Sequence, residues 1–530
     1  MAKSALMEAL QRAYKIARAS IKTGIPADEI VDILKQKTTR RRLLYGGLGL
    51  ASALATATWH NGRDSMAFGR IPKVLVVGAG IAGLTAAYRL RQAGVPVDIV
   101  EARNRVGGRM RSLANAAGTN VTVELGGEFI STDHRKLRSL ALELGLTIVD
   151  LLATDQELVP ETWFFQGRKI PETEIISYFI PLARKIDKDL LAIGDGDVTY
   201  SSYNQAAFAL DNTSIAEYLE QAQINPILQE MLNVSCTTEY GREAAEQSCL
   251  NLLFLVGTKS DKFSLYGESD EERYTIRGGN DQVPHLLANY LANVIQTETE
   301  LEAISIRPDG RYRVSLKSGY KTFDRNYERI LLTLPFTTLR LVKLDVNLPA
   351  FKKKAIAELG YGTNAKLITA YQQKLWRTKY NSTAETFTDT GFQNAWEASR
   401  YQKSPKGLVT NLTGGKQGLS LGKGSAESLA QIFLPQLDRI FPGIKKLRQG
   451  EAIRAYWPGE QYTQGSYACY LVGQWTTIAG VEQKRVGNLF FAGEHCSVSY
   501  QGYMEGGCAT GEVAARRILK DLGLQNISAQ

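Results

Sequence analysis

Lys73-Val74-Leu75-Val76-Val77-Gly78-Ala79-Gly80-Ile81-Ala82-Gly83 is the stretch on which the fold turns. Val74 to Val77 is a short apolar run, fit for a parallel strand buried on both faces. Gly78, Gly80 and Gly83 follow in G-x-G-x-x-G spacing, and Leu84 to Ala93 reads as a helix closed by Gly94. Val97 to Val100 reads as a second strand ending at Glu101, 18 positions after Gly83. Strand, glycine turn, helix, strand and acid together form a dinucleotide-binding unit. The glycines allow a tight turn and close backbone approach to a pyrophosphate. The helix N-terminus offers free N–H groups and partial positive charge. Glu101 can accept the ribose hydroxyls, and an acid rather than an arginine there disfavours a 2′-phosphate.

Around this unit the chain is ordinary for a globular protein: 530 residues, 44% hydrophobic, 22% charged. That excludes collagen-like and generally disordered chains. The net charge of +9 invites a nucleic acid, a membrane surface or an acidic partner. Residues 1–57 hold ten Lys/Arg against four Asp/Glu, so +6 of the +9 sits there. The body has no Lys/Arg-rich stripe with interleaved aromatics, so no nucleic acid is expected as a partner. Five cysteines, none in C-x-x-C, predict no disulfide framework, although one disulfide stays open. Four histidines without H-E-x-x-H spacing predict no catalytic metal.

The first 57 residues read as a leader. Arg40-Arg41-Arg42 precedes the uncharged stretch Leu43 to Ala57, which is too short for an ordinary membrane span and ends in Ala55-Thr56-Ala57. A charged region, a short apolar region and an A-x-A site make an export signal, and the paired arginines resemble a twin-arginine signal. Export to the periplasm or another extracytoplasmic compartment is expected. The alternative is a buried N-terminal helix after a basic loop. The 39 residues before the arginines are long for such a signal. There Leu6, Leu10, Tyr14 and Ala17 recur at helical spacing with Lys15, Arg18 and Lys22 between them, and Ala27 to Lys37 suits a second helix. An interfacial helix touching a membrane, or a plain extension of the leader, both fit.

Glu101-Ala102-Arg103-Asn104-Arg105-Val106-Gly107-Gly108-Arg109 resembles the FAD-binding pattern of the flavin amine oxidase family, which includes monoamine, polyamine and L-amino acid oxidases. The resemblance places Arg103, Gly108 and Arg109 near the FAD diphosphate and ribose. Leu125-Gly126-Gly127 matches the family's backbone strip beside the flavin. Gly278-Gly279 and the strand candidate Ile330-Leu331-Leu332 before Thr333-Leu334-Pro335 continue it, with a hairpin read between Leu301 and Leu316 around Pro308-Asp309-Gly310. Leu489-Phe490-Phe491-Ala492-Gly493-Glu494 and Gln501-Gly502-Tyr503-Met504-Glu505-Gly506-Gly507 match the monoamine oxidase ending, a strand and then a helix to about Leu519. It implies that Gly493 and Glu494 meet the ribityl chain and that Met504 starts a helix aimed at the flavin.

The fold implied is α/β: a Rossmann-like FAD-binding domain from residues 73–150, 270–340 and 450–520, interleaved with an α+β substrate-binding domain from 151–269 and 341–449. Tyr467 and Tyr503 match the family's two cage tyrosines, Tyr467 lying in a block that begins at Trp457. Two core tyrosines would be the plainer account. Lys366, inside an apolar strand candidate, matches the family lysine that holds a water at flavin N5. Two departures matter. Ser466 stands where monoamine oxidases carry the cysteine that tethers FAD, so non-covalent FAD is expected, with Cys469 pointing elsewhere. Glu128 and Phe129 stand where L-amino acid oxidases place an arginine for the substrate carboxylate. Glu128 would suit a cationic substrate, or would hydrogen-bond the flavin or a neighbouring loop.

The resemblance implies oxidation of an amine or L-amino acid to an imine, with hydrolysis to a carbonyl product. Oxygen is reduced to hydrogen peroxide, or a quinone takes the electrons. A flavin desaturase acting on an apolar substrate and a non-catalytic, membrane-attached flavoprotein are the alternatives.

Overall fold

The computed structural model describes residues 5–31, 71–155, 157–256 and 273–524. The valine- and isoleucine-rich runs Val74–Val77 and Val97–Val100 are buried strands, as read from the sequence. They stand side by side in a five-stranded parallel sheet ordered Leu489–Phe491, Arg329–Leu332, Val74–Val77, Val97–Val100, Ile295–Gln296. Every strand in it points the same way, so all carboxyl ends open on one edge. In doubly wound sheets, ligands bind at that edge. The crossover helix Ile81–Gln92 covers one face, starting three residues earlier than the sequence suggested.

Helix Met504–Asp521 lies directly on Ile81–Gln92. A Cβ on Gly507 would meet Ile81 Cγ2 at 2.7 Å, and one on Gly511 would meet Ala82 O at 2.4 Å. At Gly511 the two helices therefore touch backbone to backbone, and at Gly507 backbone meets the Ile81 side chain, approaches that only glycine permits here.

The hairpin read around Pro308-Asp309-Gly310 is present. Glu300–Ile306 and Tyr312–Ser318 pair antiparallel, with Ile306 opposite Tyr312. Lys321–Tyr327 and Lys343–Asp345 complete a four-stranded sheet. Lys343–Asp345 thus stays with this sheet, just past the boundary at 340.

A seven-stranded sheet forms the second large layer, in the order Arg448–Tyr456, Ala365–Tyr371, Gly407–Thr413, Asn394–Glu397, Thr386–Thr388, Thr162–Phe165, Arg168–Lys169. Ala365–Tyr371 is buried along its whole length and has partners on both sides. The boundary expected at 450 falls inside Arg448–Tyr456, whose pairing assigns it to this sheet. Helices Glu172–Ile193, Pro226–Tyr240 and Cys249–Val256 share a separate apolar core beside it.

The leader reading divides. Residues 32–57, with the arginines and the A-x-A site, lie outside the described residues. Ala5–Thr23 is a helix, and Leu10, Ala13, Tyr14, Ile16 and Ala17 on it are buried in the helical core. This corrects the expectation of an interfacial helix, because its apolar face is covered by protein. Residues 27–31 are also helical. Among the described residues, no helix is long and apolar enough to cross a membrane.

Candidate active site

A cavity of about 560 Å³ opens at the carboxyl edge of the parallel sheet. Gly78, Gly80, Glu101, Arg103, Gly108 and Arg109 line one end, and Lys366, Trp396, Tyr467 and Tyr503 line the other. Gly126, Gly127, Glu128, Trp457, Gly493, Glu494 and Met504 also line it. Of the catalytic, cofactor-binding and substrate-binding residues expected from the sequence, Gly83 alone is not on its wall.

The glycines divide the work. At Gly83 a Cβ would overlap Gly78 O at 2.0 Å, so this residue lets the helix pack on the turn. At Gly78, with φ +103, a Cβ would meet Thr333 Oγ1 at 2.6 Å. At Gly80 a Cβ would meet nothing within 4 Å and would project into the cavity. Gly80 is the N-cap of Ile81–Gln92 and offers no side-chain cap, so the first-turn N–H groups remain for a ligand.

Glu101 spans this turn. Its Oε2 accepts from Ala79 N at 2.8 Å and its Oε1 from Arg103 N at 2.9 Å. A carboxylate has about four acceptor positions, which leaves capacity for ribose hydroxyls. Arg103 donates to Thr463 Oγ1 at 2.6 Å and lies over the Tyr462 ring. Arg109 Nη1 donates to Ser466 O at 2.7 Å and to Glu494 Oε1 at 2.9 Å, while Glu494 Oε2 accepts from Gly502 N at 2.7 Å. One arginine–glutamate pair therefore ties the motif at 101–109 to the motif at 489–507.

Beyond them the backbone strip Leu125-Gly126-Gly127 passes under the cavity. A Cβ on Gly126 would overlap Arg109 O at 1.8 Å, and one on Gly127 would meet Met504 Sδ at 2.8 Å. Trp457 Nε1 donates to Leu125 O at 2.9 Å, so the indole fixes the strip. The free helix N-terminus, the glycine-lined backbone and the Glu101 carboxylate suit a dinucleotide with a pyrophosphate. The cradle fits FAD.

Lys366 enters from the buried strand Ala365–Tyr371 and is itself only 6% exposed. A buried ammonium is costly unless partnered. Its Nζ donates to Glu124 O at 3.0 Å, Gly126 O at 2.9 Å and Glu128 Oε2 at 2.7 Å. An ammonium has three donors, so the water read into this position needs one of these bonds to be given up. Glu128 Oε1 accepts from Trp396 Nε1 at 2.8 Å. Both oxygens of Glu128 thus hold protein partners. Its cation is Lys366, so of the two roles expected for Glu128 the bonds within the chain are the ones the geometry displays. Beside the pair, burial pushes the Glu124 carboxyl up to about 8, with the charge of Glu128 adding to the rise.

Tyr467 Oη donates to Thr238 O at 3.2 Å, and Tyr503 caps helix Met504–Asp521. His134 sets its ring edge-on to Tyr503 at 4.8 Å, and burial lowers its imidazole to about 3, so it is neutral at ordinary pH. Ser466 lines the cavity and donates to Asn364 Oδ1 at 2.7 Å. Cys469 is fully buried and is not among the lining residues, and no cysteine is. All five cysteines are free and buried. Among the described residues no cluster that could hold a metal ion is found.

Sequence reasoning missed Trp396, Asn364 and His134. Trp396 sits in a short strand with no motif around it, and its importance appears only once Glu128 is opposite. Asn364 lies two residues before Lys366, inside the matched block, and carried no separate signal.

Residues 81–519 match the model of the flavin-containing amine oxidoreductases. The chain belongs to that family. It is similar to the flavin-containing amine oxidase B of Cavia porcellus, 25% identical over 477 residues, covering 85% of this chain and 86% of that protein. It is also similar to a flavin-dependent L-tryptophan oxidase of Lentzea aerocolonigenes, 24% identical over 472 residues, covering 84% and 98%. Among solved structures, a putrescine oxidase bound to putrescine superposes with a TM-score of 0.72 at 21% identity, over 85% of this chain and 99% of that one. A cyclohexylamine oxidase from Brevibacterium oxydans superposes with 0.73 at 20% identity and the same coverage. This family member is an oxidoreductase of the amine oxidase fold, with a flavin as its cofactor and amine oxidation as its chemistry.

Proposed function

We propose that the protein is an FAD-dependent oxidase of a primary amine, a polyamine or an L-amino acid, with the flavin held without a covalent link. One observation carries this: a single cavity joins a dinucleotide cradle to a buried, fully partnered lysine and two tyrosines. Gly78, Gly80, Glu101, Arg103, Gly108 and Arg109 would hold the diphosphate and ribose. Gly126, Gly127, Gly493, Glu494 and Met504 would hold the flavin end. The serine at position 466 and the absence of cysteine among the lining residues support non-covalent binding.

Bound FAD would supply the two-electron oxidation of the amine-bearing carbon, with oxygen, reduced to hydrogen peroxide, or a quinone as the final acceptor. The chain's own residues do the rest. Tyr467 and Tyr503 present aromatic faces that attract and orient an ammonium. Apolar walls strip water from it, which lowers the ammonium pKa and favours the reactive neutral amine. Lys366 and the N-terminus of Met504–Asp521 set positive charge against the place where negative charge develops. The imine product hydrolyses to a carbonyl compound and ammonia or an amine.

Anaerobic mixing of holoprotein with polyamines, monoamines and L-amino acids tests the reading. At least one should bleach the flavin absorbance. Turnover of apolar polyenes with no response to any amine would assign a desaturase, and a flavin that no substrate reduces would make the protein non-catalytic. Export belongs to the same proposal, on the strength of the arginine and A-x-A pattern. Replacing Arg40 and Arg41 by lysine should leave the protein in the cytoplasm, and unchanged export would reject that part.

A further inference from the structure

The N-terminal helix lies before the stretch that matches the family, which begins at residue 81, yet it is built into the body of the protein. Leu10, Ala13, Tyr14, Ile16 and Ala17 are each 2% exposed or less. They fill the apolar core between Glu172–Ile193, Pro226–Tyr240 and Cys249–Val256. Tyr14 meets the Phe179 ring edge-on at 6.1 Å.

Polar groups on the same helix find specific partners across the seam. Arg12 Nε donates to Glu172 Oε1 at 2.6 Å, and its Nη2 lies 3.6 Å from Glu161 Oε2. Arg18 Nε lies 3.0 Å from Asp187 Oδ2, and Tyr14 Oη donates to the same carboxylate. Gln11 Nε2 donates to Leu255 O. Burial favours the protonated form of Glu161, and the Arg12 guanidinium opposes that, so the body contains a buried acid whose cation comes from the helix. Apolar packing and matched ion pairs on one face are what hold a helix in a groove without a covalent link. Helices in proteins draw most of their stability from packing of the apolar face, so the order of this one depends on the groove.

In sequence, the arginines at 40–42 and the Ala55-Thr56-Ala57 site fall between this helix and the first strand of the body. We propose that residues 5–31 are a lasting part of the working protein, and that they stay bound as a separate peptide when the chain is hydrolysed within 32–70. The occupant of the groove formed by Glu172–Ile193, Pro226–Tyr240 and Cys249–Val256 is then this segment, joined or cut. Removing residues 1–57 as a leader would instead strip one wall from the helical core.

A site for a sequence-specific protease inserted between residues 58 and 70 tests this on the full chain. After complete cutting, the fragment carrying residues 5–31 should co-elute with the body under native conditions and separate only in denaturant. Ala17→Glu, which sets a charge in the apolar seam, should release the cut fragment, whereas Lys22→Glu, near the end of the helix, should not. The proposal is overturned if the wild-type fragment elutes apart from the body. It is also overturned if Ala17→Glu leaves the fragment bound, since the seam would then not be what holds it.

Discussion

At its nucleotide end the cavity is walled largely by backbone, Gly78, Gly80, Gly107 and Gly108, with Glu101, Arg103 and Arg109 beside them, all drawn from two stretches close together in sequence. At its other end it is walled by side chains, Lys366, Glu128, Trp396, Tyr467 and Tyr503, drawn from five remote segments. The nucleotide end depends on what is missing, a Cβ at each close approach. The other end depends on partnering, because each buried polar group there is costly unless answered. A substitution at the first end should act on binding, and one at the second on rate.

The largest effect should come from Lys366→Met. It removes the only cation among these side chains and should slow flavin reduction or reoxidation by about 10²- to 10³-fold while leaving FAD bound. Stopped-flow absorbance checks this, and unchanged rates would dissolve the distinction between the two ends. Next comes Gly80→Val, whose Cβ would enter the cavity without meeting a protein atom within 4 Å. FAD affinity should fall about 100-fold, roughly 2.7 kcal/mol, with the apoprotein's Tm unmoved. A lowered apoprotein Tm would mean that Gly80 serves packing instead. Glu128→Gln keeps the shape of the Lys366 and Trp396 contacts but drops the charge. A loss in kcat of about 10-fold is expected, matching the excess worth of one charged hydrogen bond. An equal loss confined to KM would return Glu128 to substrate binding.

The smallest effect on rate belongs to a change that acts on stability. Burial holds the Glu124 carboxyl at about 8 against an ordinary 4.5. Between those values the folded chain keeps a proton that the unfolded chain has released, so this group costs stability as pH rises through the window. Glu124→Gln should therefore gain up to about 4 kcal/mol of stability over the wild type between pH 4.5 and pH 8. Denaturation at the two pH values reads this directly. A gain that is equal at both would show that the carboxyl is not the cause.

The legibility of the sequence follows the same division. Val74 to Glu101 could be read because backbone constraints leave fixed spacings: a buried strand, glycines where no Cβ fits, and an acid at the next strand end. Lys366 was legible only as a polar residue in an apolar run. Its three acceptors were not, since Glu124, Gly126 and Glu128 meet it across some 240 positions of sequence. Trp396 was invisible for the same reason. For Glu128 local pattern left two roles open, because the strand that brings Lys366 to it lies some 240 positions away. The N-terminal helix showed its periodicity plainly, but periodicity reports an apolar face and not what covers it.

The glycine contacts between Met504–Asp521 and Ile81–Gln92 have a geometric consequence. Gly507 lies on Ile81 and Gly511 on Ala82, so the first turns of the two helices stand side by side on the cavity wall. A side chain at either glycine would push them apart. The spacing between these two patches of partial positive charge is therefore set by close helix contact and not by any side chain at the reacting end.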